Sequence, residues 1–113
     1  MEISPNVSQL IARFNKISRW IMEEILSYDS SKDRAKLIEI FISIAQELKN
    51  IHNLNDCFAI VSTFNHLSLK RLKRTWKKVS NETKNTQNEL NKLCSILKNF
   101  EKIKNEYLQY KNS

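Results

Sequence analysis

The side chains that most often carry out chemistry are scattered in this sequence instead of grouped at the spacings that such chemistry needs. The two histidines, His52 and His66, lie far apart and have no acidic or thiol neighbours at metal-ligand spacing. No serine stands in a nucleophile elbow, and no pair of carboxylates shares an apolar-lined face. We therefore expect no catalytic residue and no metal site, and we interpret both histidines as solvent-facing or capping residues.

The glycine and cysteine content narrows the possible chemistry further. The chain has no glycine, so it lacks the glycine-rich loops that hold nucleotide phosphates, and we expect no bound cofactor. If a nucleotide matters to this protein, a partner carries it. Cys57 and Cys94 lie among apolar residues without CxxC spacing, which is typical of two reduced core thiols rather than of a disulfide or a nucleophile.

The densest charge cluster has six basic residues within positions 70–78 and includes Trp76. A formal net charge of +7 favours an acidic partner, an anionic membrane surface or a nucleic acid, and a basic helix with an aromatic side chain could follow a phosphate backbone. At helical spacing, however, Trp76 shares a stripe with Leu69 and Leu72. We interpret Trp76 as a core residue and the lysines as a solvated face, so nucleic-acid binding is the weakest alternative.

The elements that must position these residues are predicted to be helices throughout. Zero glycine with one proline disfavours an all-β fold, because hairpin turns and bulges usually need positive φ angles. Ser4 and Pro5 predict the start of a first helix that reaches about Leu26, with apolar residues at spacings of three and four. Residues 34–50 predict a second helix whose narrow polar stripe is typical of the buried centre of a bundle.

Capping residues divide the rest of the chain. Ser31 or Asp33 is expected to cap the second helix, and residues 57–64 predict a short buried helix after a turn rich in Asn. Ser68 is expected to cap a fourth helix that ends near Val79. The sequence thus predicts an all-α bundle of about five helices in one domain over residues 1–113.

The last predicted helix, over about 80–111, begins after a capping Ser80. Its apolar residues recur nearly every seven positions, with Lys104 interrupting. A coiled coil and packing within one bundle both explain this repeat, and the interruption favours the bundle. No run approaches the roughly 18 apolar residues of a membrane span, and the start lacks signal-peptide features, so we expect a cytoplasmic protein without direct membrane insertion.

Four blocks of sequence, in order, resemble the catalytic domain of Ras-type guanine nucleotide exchange factors. Residues 13–20, RFNKISRW, are similar to the family's RFN-x-hydrophobic-S-x-W signature, and residues 34–45, RAKLIEIFISIA, to its RAKVIEKFIKIA helix. Residues 48–65 resemble L-x-x-LNNFNSLMAIISGLNS, and residues 71–76, RLKRTW, resemble RLKKTW. The similarity is best over residues 5–79 and weaker as far as Phe100.

The resemblance implies a helical domain that binds the switch II segment of a Ras-like small GTPase while a protruding helical hairpin displaces switch I, so that GDP leaves. Such a regulator does no covalent chemistry and is not an enzyme. Carried over by position, the residues that would face the GTPase are Ile11, Phe58, Asn65, Leu67 and Phe100. The apolar ones would form a pocket and Asn65 would supply hydrogen bonds. From the residues alone, Ile11 and Phe58 are equally explained as core residues and Asn65 as a helix terminator.

The sequence also departs from the family pattern. Ala12 stands where some members have Arg, and Leu67 where a small polar residue is usual, which leaves the choice of GTPase open. Met1 lies where the family's domain is already under way, and the chain stops before the PPC-x-P-hydrophobic-x-G segment and its hairpin. We therefore expect a fragment of an exchange factor that supplies the switch II-facing surface. The alternatives are a non-catalytic GTPase-binding helical module and, on charge alone, a basic nucleic-acid-binding protein.

Overall fold

The chain, described by a computed structural model over residues 5–112, is all-helical in that range, as predicted. Its six helices are α1 (Pro5–Ser27), α2 (Ser31–Asn50), α3 (Leu54–Phe64), α4 (Leu67–Lys70), α5 (Lys73–Lys78) and α6 (Asn81–Asn112). None of these described helices combines the length and the apolar character that crossing a membrane requires.

The first two helices start close to the predicted residues. Helix α1 begins at Pro5, as predicted, whereas Ser4, its expected cap, lies outside the described residues. Helix α2 is capped by Ser30, whose Oγ accepts a hydrogen bond of 3.4 Å from the backbone N–H of Asp33. The predicted caps Ser31 and Asp33 are therefore wrong. Ser30 has the extended backbone that suits an N-cap, so the helix starts three residues earlier than expected.

Helix α2 ends in a Schellman turn that is built without glycine. His52 takes the left-handed conformation, with φ of 63°, and the N–H of Asn53 returns to the carbonyl of Leu48 at 2.8 Å. The side chain of Asn53 then caps α3. Helix α3 consequently begins at Leu54, earlier than the predicted residue 57.

The centre of the bundle is α3, against which α1 and α2 both pack. Most of its side chains are buried, from Asp56 to Phe64. The prediction that α2 forms the buried centre is wrong in part, because Ile40 and Ile44 of that helix are 53% and 42% exposed. The wider core comprises Ile21, Ile25, Ala35, Ile38, Phe41, Ile42, Ala45, Cys57, Ile60, Val61, Phe64, Leu69, Val79, Leu90 and Cys94.

The predicted fourth helix is two short helices, α4 and α5, separated at Arg71–Leu72. A continuous helix would place Leu69 and Thr75 about 120° apart around its axis, yet both side chains are buried. Breaking the helix lets both reach the core. Ser68 is not the cap of α4, because the Nδ1 atom of His66 accepts the hydrogen bond from the Ser68 N–H at 3.2 Å.

Helix α6 starts as predicted, with the Oγ atom of Ser80 accepting a hydrogen bond from the Thr83 N–H at 3.2 Å. It packs on the bundle through Leu90 and Cys94, which are buried. Every described side chain between residues 98 and 111 is exposed. Packing within the bundle therefore explains the apolar repeat only as far as Leu97, and the rest of α6 extends beyond the core.

Candidate functional surface

Helix α3 carries two of the residues predicted to face a partner. Phe58 and Asn65 are seven positions apart, so they fall on the same side of the helix. Phe58 is partly buried and packs against the hydrophobic core. Asn65 is the C-cap of α3 and its side chain is exposed. Phe58 is thus explained as a core residue and Asn65 as a helix terminator. Both side chains still remain partly accessible to solvent.

The side chain of Asn65 is oriented by a second asparagine on α6. The Nδ2 atom of Asn65 donates a hydrogen bond of 3.0 Å to the Oδ1 atom of Asn91. A carboxamide offers two N–H donors and an oxygen with two lone pairs. Since this bond uses one donor, the carbonyl oxygen of Asn65 keeps its capacity to accept hydrogen bonds from a partner.

Three of the predicted contact residues are large apolar side chains that the described bundle leaves open to solvent. Ile11 is 51% exposed, Leu67 73% and Phe100 65%. Single exposed apolar residues are common on proteins, but clusters of them mark interaction surfaces. The arrangement of the helices therefore decides whether these residues can act together.

Helices α1 and α3 run in the same direction. Arg13 pairs with Asp56 at 2.8 Å, and further along both helices the Oγ1 atom of Thr63 donates to the Oγ atom of Ser18 at 2.8 Å. This register places Ile11, two residues before Arg13, towards the N-terminal end of α3. Ile11 therefore belongs to the same end of the bundle as Phe58.

Helix α6 crosses α3. Asn91 contacts the C-terminal end of α3, whereas Cys94 neighbours Cys57 near its N-terminal end. Phe100 lies six residues after Cys94, on the exposed part of α6. Asn65 is about 10 Å from Phe58 along the axis of α3 at 1.5 Å per residue, and Leu67 opens the next helix. The five predicted contact residues thus lie on or next to four helices, α1, α3, α4 and α6.

A buried carboxylate lies beside this surface. Asp56 is only 6% exposed, and its Oδ2 atom accepts hydrogen bonds from the Arg13 guanidinium at 2.8 Å and from the Asn53 amide at 2.9 Å. The carbonyl oxygen of the Asn53 amide in turn accepts from the Asp56 N–H at 3.4 Å. These contacts join the first turn of α3 to α1.

The two cysteines are free and buried, as the sequence predicts. Burial raises the pKa of the Cys57 thiol. Burial, together with the neighbouring Cys57, raises the pKa of Cys94 to about 11. Both groups are therefore protonated thiols at neutral pH, which does not favour a nucleophilic role.

The basic cluster does not present its aromatic residue for stacking. The ring of Trp76 packs edge-on against Phe64, with centroids 6.1 Å apart, and its indole N–H donates to the carbonyl of Leu69 at 2.8 Å. Trp76 is a core residue, as predicted. Within the described range, no group of His, Cys, Asp or Glu side chains could hold a metal ion.

The sequence did not predict that Asn91 contacts Asn65 or that Arg13 pairs with Asp56. Nothing in the helical pattern around Asn91 indicates that it meets Asn65, because that contact depends on how α6 crosses α3. Asp56 did carry a signal, since an acidic residue stands directly before an apolar segment, where the resembling pattern has Ser. A buried acid usually requires a partner, which could have pointed to a basic residue on a neighbouring helix.

The described part of the chain is an all-α bundle with several large apolar side chains on its surface. A family model for the RasGEF domain matches residues 1–112. Ras guanine nucleotide exchange factor E of Dictyostelium discoideum is 38% identical over 88% of the chain, and cell division control protein 25 of Saccharomyces cerevisiae is 35% identical over 89%. Human Ras guanyl-releasing protein 3 is 35% identical over 88%. This chain belongs to the RasGEF domain family.

The matched segment is a small part of each relative. It covers 10% of the length of the Dictyostelium protein, 6% of the yeast protein and 14% of the human protein.

Proposed function

We propose that this chain is part of a guanine nucleotide exchange factor for a Ras-like small GTPase, and that it supplies the surface facing switch II. Membership of the RasGEF family carries this proposal, because two of the relatives named above are a Ras guanine nucleotide exchange factor and a Ras guanyl-releasing protein. The exposed residues Ile11, Leu67, Phe100 and Asn65 support it, since they provide apolar area and a hydrogen-bonding group on the outside of the bundle.

The proposed activity needs no catalytic group in this chain. A factor that binds the nucleotide-free GTPase more tightly than the GDP-bound form must weaken GDP binding by the same ratio, because the two binding free energies are coupled. The chain would therefore act as a regulator without covalent chemistry.

Each proposed contact has a physical role. Ile11 and Phe58 would bury apolar area near the N-terminal end of α3, Phe100 on α6, and Leu67 beyond the C-terminal end of α3. Asn65 would hydrogen-bond to the GTPase through its carboxamide, whose orientation Asn91 fixes. We place the protein in the cytoplasm, with any recruitment to a membrane depending on regions outside this chain.

Binding and exchange are separable steps, and the proposal assigns only the first to this chain. Displacing switch I is the part that the family resemblance gives to the helical hairpin. A non-catalytic GTPase-binding module remains the second candidate, and it differs from the first in having no exchange activity even when the hairpin is supplied. The burial of Trp76 against Phe64 weakens the nucleic-acid alternative.

The test is release of fluorescent GDP from a panel of Ras and Rap-like GTPases. It compares this chain with a version extended by the family's proline-rich turn and helical hairpin. We expect the extended version to accelerate release from at least one GTPase and this chain to be inactive or very weak. No acceleration by the extended version would contradict exchange activity. Equal acceleration by this chain alone would contradict the role assigned to the hairpin.

A further inference from the structure

The described side chains in the N-terminal half of α1 contribute little to the buried core. Among the described side chains of residues 9–16 none is buried, and Phe14 is the one that is half-buried. The buried residues of this helix, Ile21 and Ile25, lie in its C-terminal half. Hydrophobic burial therefore fixes the C-terminal half of α1, and among the described residues near Ile11 a polar contact is the clearest link to α3.

The ion pair between Arg13 and Asp56 joins α1 to α3 in this region. The two side chains meet at 2.8 Å, and the whole side chain of Asp56 is 9% exposed whereas that of Arg13 is 62% exposed. Asp56 belongs to the first turn of α3, where a negative charge is favoured, and Asn53 hydrogen-bonds to the same oxygen. The carboxylate is thus fixed on α3, and Arg13 is the movable partner that joins α1 to it.

We propose that Arg13 and Asp56 are positioning residues that hold the N-terminal half of α1 against α3 and so set where Ile11 lies relative to Phe58. The consequence for a partner rests on the proposed function of this surface. Ile11 lies two residues before Arg13, and Phe58 two residues after Asp56. Because the two helices are parallel, the pair lies between these apolar side chains along the helix axes.

Because Arg13 is exposed, its effect on the position of α1 can be separated from its effect on the stability of the bundle. Most of its side chain is in solvent, so replacing it removes little buried apolar area and leaves Ile21 and Ile25 in the core. The substitution should therefore free residues 9–16 locally, without unfolding the bundle. A partner that needs Ile11 and Phe58 in one arrangement would then have to order α1 on binding and would bind more weakly.

The first measurement is backbone hydrogen exchange, which does not depend on any partner. In Arg13→Gln we expect amides of residues 9–16 to exchange at least about fivefold faster, while those of residues 21–27 keep their protection. Arg19→Gln is the matched control, since it makes the same change on the same helix at another exposed position. Unchanged exchange of residues 9–16 in Arg13→Gln would overturn the proposal.

A second variant removes the cost of leaving an unpaired buried carboxylate. Arg13→Gln leaves Asp56 with the Asn53 amide as its neighbour, which could lower the thermal midpoint by itself. In the double variant Arg13→Gln with Asp56→Asn, the buried charge is gone but so is the ion pair. We expect its thermal midpoint to recover while exchange of residues 9–16 stays fast. Exchange that recovers together with the thermal midpoint would overturn the positioning role.

The third measurement is affinity for a nucleotide-free Ras-like GTPase. We expect Arg13→Gln and the double variant to bind about fivefold more weakly, and Arg19→Gln to match the original chain. Faster exchange with unchanged affinity would overturn the link between this pair and the GTPase-facing surface. If the original chain binds no GTPase, the proposed function fails, whereas the exchange measurement still decides whether the pair holds α1.

Discussion

Leu67 and Leu69 allow one substitution to be compared at two nearby positions of opposite burial. Both lie on the short helix α4, but Leu67 is 73% exposed and Leu69 is fully buried. Alanine is a good helix former, so truncation adds no penalty from helix propensity. Any difference between Leu67→Ala and Leu69→Ala therefore reports burial. Leu69 is buried within the bundle, and Leu67 would be buried against a partner.

The expected magnitudes follow from these exposures. Fully burying a leucine side chain is worth about 1.5–3 kcal/mol, and the bundle covers about a quarter of Leu67. Leu67→Ala should therefore lower the free energy of unfolding by less than about 1 kcal/mol, whereas Leu69→Ala should lower it by roughly 3–5 kcal/mol. If a GTPase covers the rest of Leu67, truncation should cost about 1–2 kcal/mol of binding, or roughly five- to thirtyfold in affinity.

Two assays separate the effects. Urea denaturation followed by circular dichroism gives the free energy of unfolding, and titration calorimetry gives the affinity for a nucleotide-free Ras-like GTPase. We expect Leu67→Ala to change the second quantity and Leu69→Ala mainly the first. Loss of stability in Leu67→Ala as large as in Leu69→Ala would refute the exposure argument. Unchanged affinity in Leu67→Ala would remove Leu67 from the proposed surface.

Three further substitutions test other parts of the structure. His52→Gly should raise the free energy of unfolding by about 0.5–1 kcal/mol in urea denaturation, since glycine adopts the left-handed conformation without strain; a loss of stability would contradict this. Trp76→Phe should lower it by about 1 kcal/mol, because the carbonyl of Leu69 loses the indole N–H; no change would contradict that bond's contribution. The pKa of Cys94 rises from 9.0 to about 11 on folding, so the stability from its protonated thiol is fully present below pH 9 and is lost as the pH rises towards 11. Cys94→Ala should therefore reduce the fall in unfolding free energy over that interval by on the order of 2 kcal/mol, and an identical pH profile would be inconsistent with the raised pKa.

Local signals predicted the ends of the long helices better than the short elements between them. Pro5 and Ser80 start α1 and α6 where the sequence places them, because a proline and a capping hydroxyl act on neighbouring backbone groups. The break between α4 and α5 has no such signal. It follows from burying Leu69 and Thr75 together, which is a property of the assembled core.

The periodicity of α2 overestimated its burial for a related reason. Its apolar residues cover most of the helical circumference, and a pattern of this kind cannot show which side a neighbouring helix will cover. Ile40 and Ile44 fall on a side left open by the described bundle. For the same reason, the sequence could not show that Phe100 lies beyond the packed part of α6.

Family resemblance predicted the residues of the candidate surface. It did not predict the polar contacts beside them, between Asn65 and Asn91 and between Arg13 and Asp56. Phe58 and Asn65 could be assigned because their blocks match a known pattern residue by residue. The contact of Asn65 with Asn91 joins residues 26 positions apart, and that of Arg13 with Asp56 joins residues 43 positions apart. Such pairs depend on helix direction and register, which a single sequence does not fix.

The most direct test of the proposed role is to compare binding of this chain to nucleotide-free and GDP-loaded forms of the same Ras-like GTPases. Coupling between the two binding events requires a preference for the nucleotide-free form. We expect at least one GTPase in a broad panel to bind at least about tenfold more tightly when nucleotide-free, a difference of about 1.4 kcal/mol. Equal affinity for the two forms would contradict the coupling to nucleotide release, and no binding to any member of the panel would contradict a GTPase-facing surface in this chain.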